Sequence, residues 1–94
     1  MANKKIVIAD DEPDILNLLS VIFRTKGYEV FSAGDGQTAI DLIKANRPAA
    51  AVLDFMMPRL DGAAVARKAR QYNPEMFIII IINDTNMILV NFIP

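Results

Sequence analysis

The chain has 94 residues, of which 53% are hydrophobic, and this is enough apolar material for one small domain near the lower size limit of independent folding. Ten Lys and Arg against 11 Asp and Glu give a net charge of −1, so we expect no nucleic-acid or anionic-membrane partner. The absence of cysteine and histidine excludes disulfides, zinc sites with thiolate or imidazole ligands, and Ser-His-Asp triads.

Strands and helices alternate along the first 82 residues. The chain starts with Met-Ala-Asn-Lys-Lys and continues into four apolar residues, too few for a signal peptide, so we expect a cytoplasmic protein. Apolar β-branched runs predict buried strands, and Pro, Asp and Gly at the expected ends predict the helices between them. The predicted strands cover residues 6–9, 28–32, 49–53 and 77–82, and the predicted helices open at Pro13, Asp35 and Asp61. This βαβαβαβ order predicts an α/β fold with a parallel sheet and right-handed crossovers.

The last 12 residues follow a different pattern. A short polar segment at residues 83–86 separates the fourth strand from a final apolar run at residues 87–93. So few residues cannot hold a crossover helix, and a polar turn of this length suits a hairpin. We therefore predict a C-terminal strand that runs antiparallel to the fourth strand. A helical continuation is the alternative, but the Ile-rich composition favours a strand.

Two acidic groups follow two of the predicted strands. Asp10 and Asp11 come directly after the first strand, and Asp54 comes after the third. With the first strand between the second and the third, their carboxyl ends are neighbours, which is where ligands bind in α/β sheets. Three carboxylates in one crevice repel one another unless a cation joins them, and oxygen ligands suit Mg²⁺. A carboxylate beside that metal can attack a phosphorus centre and form an aspartyl phosphate.

Structural explanations exist for each acidic residue taken singly. Asp61 is best explained as a helix N-cap, and Asp11 and Glu12 are favourable beside the positive end of a helix. Capping does not explain Asp54, which is followed by a restricted loop with the pattern Asp-x-x-x-Pro-x-x-Asp-Gly. Taken together, the acidic residues favour a functional site.

Two further groups of residues have simple structural interpretations. Met56 and Met57 stand beside Asp54, but thioethers are poor Mg²⁺ ligands, so we expect them to pack within the loop. A short basic run on the third helix is expected to form a solvated face; it consists of Arg67, Lys68 and Arg70.

The segments at residues 6–12 and 53–62 resemble the receiver domain of two-component response regulators. The resemblance implies a flavodoxin-like sheet of order 2-1-3-4. It implies that Asp54 is the phosphoacceptor, that Asp10 and Asp11 hold Mg²⁺, and that the backbone carbonyl of Met56 completes the metal site. It also implies a histidine kinase or phosphotransfer protein as the partner. Such a module is not an enzyme, and phosphatases with an aspartyl nucleophile generally have a second Asp where this chain has Met56.

The last third departs from the family pattern. Receiver domains have a Ser or Thr at the end of the fourth strand, where this chain has Ile82 or Asn83, and a Lys on the fifth strand, where it has Asn91. We expect no fourth or fifth helix. We therefore expect one domain over residues 1–94, receiver-like to residue 82, with an atypical tail at 83–94 that has been deleted, frameshifted or rebuilt. Switching is expected to be impaired.

Without a fifth helix, part of the isoleucine-rich fourth strand would lie open. Exposing several such side chains costs several kcal/mol at about 25 cal/mol per Å² of apolar area. A second copy of the chain is the simplest cover, so we predict a homodimer through residues 76–94. The alternatives are aggregation of this segment and a receiver-derived fragment that only folds and self-associates.

Overall fold

A computed structural model describes residues 4–83 and 86–90, with side chains as far as residue 82. Every predicted strand and helix is present, with bounds within a few residues of the prediction. The elements are β1 (Lys5–Ala9), α1 (Pro13–Thr25), β2 (Glu29–Ala33), α2 (Gly36–Asn46), β3 (Ala50–Asp54), α3 (Gly62–Tyr72), β4 (Phe77–Asn83) and β5 (Asn86–Val90). Within this part of the chain, no helix is long and apolar enough to cross a lipid bilayer.

The strands form one sheet in the order β2-β1-β3-β4-β5. The first four are parallel, as the βαβ alternation predicted. β5 runs antiparallel to β4, with Ile80 opposite Ile88. The α/β class, the strand order 2-1-3-4 and the antiparallel last strand are therefore confirmed. The middle of the predicted turn, residues 84–85, and the predicted strand residues 91–93 lie outside the described residues.

The helices cover the two faces of the sheet unequally. α1 packs against β1 and β2 on one face, over a small core of Ile6, Ile8 and Val52. α2 and α3 pack together on the other face, over a larger core that includes Val7, Leu53 and other buried residues of β1, β3 and β4. Parallel strands of this kind need cover on both faces, which explains their continuous apolar runs.

The isoleucine-rich strand β4 is buried on one face and partly open on the other. Ile78 and Ile80 lie in the larger core with α2 and α3. Ile79 and Ile81 point to the face that carries α1 and are only partly buried, and Phe77 at the start of the strand is 53% exposed. This agrees with the expectation that part of the strand lacks cover.

The expectation of a solvated basic face on α3 is wrong for Arg70. Arg67 and Lys68 are exposed, but the Arg70 side chain is 3% exposed. Its guanidinium donates to the carbonyl oxygens of Pro74 (2.9 Å) and Met76. The connection from α3 to β4 folds under the end of the helix, and Arg70 holds the backbone of that connection.

Candidate functional site

Asp10 is the first residue after β1 and links that strand to α1. Its backbone N–H donates to the carbonyl of Ala33 on β2 (3.1 Å), which continues the parallel ladder by one residue. Its carboxylate Oδ1 accepts the backbone N–H of Glu12 (2.9 Å), just before the helix begins at Pro13. The side chain is 5% exposed. Asp10 is thus a fixed, buried carboxylate at the edge of the sheet.

Asp54 is the last residue of β3, the strand between β1 and β4. Its carboxylate Oδ1 accepts the backbone N–H of Met56 (3.2 Å). The following residue, Phe55, donates its N–H to the carbonyl of Ile81 on β4 (2.9 Å). Asp54 is partly buried at the carboxyl end of this strand.

The structure brings the three predicted acidic residues together. Ala9 pairs with Leu53 across β1 and β3, so the residues that follow them, Asp10 and Asp54, leave the sheet side by side. Carboxylate oxygens of Asp10, Asp11 and Asp54 all lie within 4.8 Å of one another. Three anionic oxygens at this separation form a donor set that a single cation can bridge.

The loop from Asp54 to α3 folds back on itself. Gly62 donates its N–H to the carbonyl of Phe55 (3.2 Å), and Leu60 donates to the carbonyl of Pro58 (2.8 Å). Asp61 accepts the backbone N–H of Ala64 (2.8 Å), which confirms its interpretation as the N-cap of α3. The loop is therefore a closed, hydrogen-bonded unit between the third strand and the third helix.

The methionines of this loop behave differently from each other. Met57 is 6% exposed and packs into the core, as expected. The Met56 side chain is 68% exposed, so loop packing is the wrong interpretation for it. Its backbone is what matters here, because the Met56 N–H fixes the Asp54 carboxylate.

Comparison with known proteins identifies the family. A family model described as the response regulator receiver domain matches residues 6–91, which is most of the chain. The chain belongs to the receiver domain family.

Two curated relatives of this receiver domain are full transcriptional or response regulators. The alkaline phosphatase synthesis transcriptional regulatory protein PhoP of Bacillus subtilis is 42% identical over 69 residues, which are 73% of this chain and 29% of that protein. Response regulator MprA of Mycolicibacterium vanbaalenii is 40% identical over 77 residues, which are 82% of this chain and 33% of that protein. The chain thus spans about a third of the length of these relatives.

Solved receiver domains have the same fold. A CheY-like receiver domain protein from Methanospirillum hungatei matches with a TM-score of 0.80 and 29% identity, over 84% of this chain and 63% of that one. The receiver domain of a sensor histidine kinase from Pseudomonas aeruginosa matches with a TM-score of 0.81 and 26% identity, over 88% of this chain and 70% of that one. That structure has a magnesium ion coordinated in its active site cleft.

The electrostatics of the receiver site favour a proton or a cation. Burial raises the pKa of Asp10, the Glu12 N–H partly opposes this, and the charges of Asp11 and Glu12 raise the pKa further. Burial also raises the pKa of Asp54, which the Met56 N–H opposes and the charges of Asp10 and Asp11 reinforce. The ionised, metal-free site is therefore a destabilising feature of the folded domain.

Asp10→Asn is expected to stabilise the metal-free domain at neutral pH. The pKa of Asp10 is raised above its ordinary 3.8, so the folded state loses stability as the pH rises from 3.8 through the raised pKa. The amide keeps an oxygen for the Glu12 N–H and removes one of three facing charges. We expect a gain on the order of 1 kcal/mol, or about 4–8 °C in Tm.

The measurement is thermal unfolding in EDTA at several pH values. Asp14→Asn is the matched control, because Asp14 is exposed on the first turn of α1. A negative charge is favourable near this positive end of the helix, so its loss should lower the stability slightly. An Asp10→Asn domain less stable than wild type at neutral pH without metal would contradict the expected repulsion. The gain should shrink as the pH falls toward 3.8.

Two glycines near the site were not recognised from the sequence as structural requirements. A Cβ on Gly62 would lie 2.7 Å from the carbonyl oxygen of Asp54, and a Cβ on Gly36 would lie 2.7 Å from Leu60. Both contacts are far closer than a real Cβ tolerates. The Asp-Gly pairs at the starts of α2 and α3 were the available signal, but they indicate a helix start equally well without any such contact.

Proposed function

We propose that this receiver domain is the phosphoacceptor module of a two-component phosphorelay, in which Asp54 takes a phosphoryl group. The donor is the phosphohistidine of a histidine kinase or phosphotransfer protein, or a small phosphodonor, and the proposed location is the cytoplasm. The observation that carries the proposal is the approach of three carboxylates, Asp10, Asp11 and Asp54, to within 4.8 Å at the carboxyl end of the sheet.

The proposed cofactor is Mg²⁺, held by Asp10, Asp11, Asp54 and the backbone carbonyl of Met56. The donor set fits this ion, because carboxylate and carbonyl oxygens are the ligands that Mg²⁺ prefers. The burial and repulsion that raise the pKa values of Asp10 and Asp54 are relieved when a cation binds. A bound Mg²⁺ would offset negative charge on the phosphoryl group during transfer.

The proposed chemistry requires the ionised form of Asp54. A carboxylate oxygen forms the new bond to phosphorus while the bond from phosphorus to the donor imidazole nitrogen breaks. The electron pair stays on the imidazole, and the product is a mixed anhydride between Asp54 and phosphate. The Met56 N–H holds one carboxylate oxygen at 3.2 Å and so orients the side chain for attack by the other. The protein contributes orientation and charge and turns over no substrate of its own.

The test is labelling of the purified chain with acetyl phosphate, followed by intact-mass measurement. We expect one phosphoryl group per chain in the presence of Mg²⁺ and none in EDTA. Binding of beryllofluoride with Mg²⁺, observed at the amides of residues 54–56, is the second measurement because it does not depend on the lifetime of the acyl phosphate. A chain that takes neither probe would overturn the proposed function.

Impaired switching is the second part of the proposal. The residues at the end of β4, Ile82 and Asn83, offer no hydroxyl where receivers have a Ser or Thr, and no Lys or Arg follows Arg70 in the sequence. A phosphoryl group on Asp54 would then lack the hydroxyl and the lysine that, as the resemblance implies, sense the phosphorylated state in receiver domains. We expect Asp54 to accept phosphate while amide chemical-shift changes in β4 stay confined to the residues beside Asp54, such as Ile81, and β5 keeps the shifts of the unlabelled chain.

We also propose that residues 83–94 are a dimerisation tail on a single domain, and that copies associate through residues 76–94. β5 ends the strand order of the described sheet, and the α1 face of β4 is partly open at Ile79 and Ile81. An uncharged terminal strand of this kind is a template for pairing with another strand. A two-fold symmetric contact through β5, either edge to edge or by exchange of the strand, would bury the tail.

The dimer is tested by sedimentation velocity over a range of concentrations. Wild type should sediment as a dimer, and Ile88→Lys and Leu89→Lys, which each add a charge to the otherwise uncharged β5, should weaken it. A monomer at every concentration would remove the dimer from the proposal. A stable dimer that takes neither Mg²⁺ nor phosphodonor would instead support a receiver-derived fragment that only folds and self-associates.

A further inference from the structure

The start of α2 packs directly against the loop that follows Asp54. Gly36, the first residue of α2, is buried. A Cβ built on it would lie 2.7 Å from both the Cβ and the carbonyl oxygen of Leu60, and 3.0 Å from Cγ2 of Val65. Real Cβ atoms essentially never approach other atoms below 3.0 Å. The backbone of α2 therefore comes this close to Leu60 because residue 36 has no side chain.

Leu60 belongs to the same hydrogen-bonded loop as the acidic site. At one end of this loop Asp54 accepts the Met56 N–H, and at the other end Gly62 donates to the carbonyl of Phe55. A displacement of Leu60 is thus passed within a few bonds to the backbone that holds the Asp54 carboxylate.

Of the two surfaces in contact, α2 is the one that cannot yield. Its first turn is capped by Asp35, which accepts the backbone N–H of Thr38 (2.8 Å), and its inner face is fixed in the larger core by Ala39, Ile40 and Ile43. The loop is less buried, since Pro58 and Arg59 are exposed and Leu60 is partly buried. A side chain at position 36 would consequently push the loop outward rather than move the helix.

We propose that Gly36 is a positioning residue for the acidic site, because its missing side chain seats Leu60 against α2 and so fixes the loop of residues 55–61. The consequence for metal affinity depends on the proposed function, whereas the consequence for the loop does not. Gly34 provides a matched control two residues away, because a Cβ there meets nothing within 4 Å and its φ is not positive.

The experiment compares Gly36→Ala with Gly34→Ala in two measurements on the full chain. Amide hydrogen exchange without metal reports on the Gly62 N–H, which bonds to Phe55, and on the Val7 N–H in the interior strand β1. Gly36→Ala should speed exchange at Gly62 by about tenfold or more while Val7 changes much less. A merely structural loss of stability would speed both amides by the same factor.

The second measurement is a Mg²⁺ titration followed by amide chemical shifts. Gly36→Ala should raise the Kd by about tenfold, and Gly34→Ala should stay within about twofold of wild type. Equal exchange and equal affinity in the two variants would overturn the positioning role. If wild type binds no Mg²⁺, the proposed function fails, and the exchange at Gly62 still decides whether Gly36 seats the loop.

A second pair of variants is available if Gly36→Ala does not fold. Leu60→Ala keeps the Cβ that contacts Gly36, and Leu60→Gly removes it. Leu60→Gly should then show the faster exchange at Gly62 and the weaker Mg²⁺ binding of the two. Identical behaviour of this pair would contradict the proposal.

Discussion

Asp54→Asn should abolish labelling by acetyl phosphate and leave the domain folded. An amide is not a nucleophile toward phosphorus under these conditions, so we expect labelling to fall by roughly two orders of magnitude or more. The fold should survive, because the amide oxygen can still accept the Met56 N–H that the carboxylate accepts at 3.2 Å. Intact-mass measurement after incubation with Mg²⁺ and acetyl phosphate gives the labelled fraction, and circular dichroism gives the fold.

The matched control is Asp61→Asn, the same chemical change on the other side of the loop. Asn is as good an N-cap as Asp, so α3 should keep its first turn and labelling should persist. If Asp54→Asn were labelled as well as wild type, the acceptor would lie elsewhere in the chain. If both variants lost labelling, the integrity of the loop rather than the carboxylate of Asp54 would be the requirement.

Arg70→Ala should be the most destabilising single substitution that we identify outside the site. It removes a buried side chain and the donors for the carbonyls of Pro74 and Met76. The cavity and the two carbonyls left without these donors should together lower the free energy of unfolding by about 3–4 kcal/mol. The total stability of a domain is roughly 5–15 kcal/mol. Urea denaturation followed by circular dichroism measures the difference in the free energy of unfolding.

Arg67→Ala is the control, because it removes the same side chain from an exposed position on the same helix. It should change the free energy of unfolding by less than about 0.5 kcal/mol. Arg70→Met should fall between the two, since it keeps much of the buried volume and loses the donors. Similar stabilities for Arg70→Ala and Arg67→Ala would mean that the contacts to the α3–β4 connection contribute little.

The meeting of the acidic residues could be predicted because it depends on features that are local in sequence. The apolar run at residues 6–9 ends at Asp10, and the run at residues 49–53 ends at Asp54, so both mark the carboxyl ends of buried strands. Once β1 lies beside β3, the register that pairs Ala9 with Leu53 places both acids at the same edge. Strand order was the one non-local assumption, and the βαβ alternation restricts it strongly.

Arg70 and Gly36 could not be interpreted in this way. A charged residue beside the apolar stripe of a helix is usually solvated, and nothing near Arg70 in the sequence shows that the following turn folds beneath it. Gly36 follows a capping Asp and opens a helix, which is a sufficient local reason for a small residue. The contact that makes glycine necessary there comes from Leu60, more than 20 residues away. Both residues owe their roles to tertiary packing.

The pairing of β4 with β5 has a consequence for the order in which the sheet assembles. It joins neighbouring segments of the chain, whereas each parallel pair must wait for an intervening helix to fold back. A hairpin closes in about 1–10 μs, ahead of such non-local pairings. When the protein is diluted from denaturant, the isoleucine-rich β4–β5 hairpin would therefore form before the strands and helices that shield it. The refolding yield should then fall as the protein concentration rises. During synthesis on the ribosome the order is reversed, because β1 to β3 emerge before the β4–β5 hairpin and can already shield it when it forms.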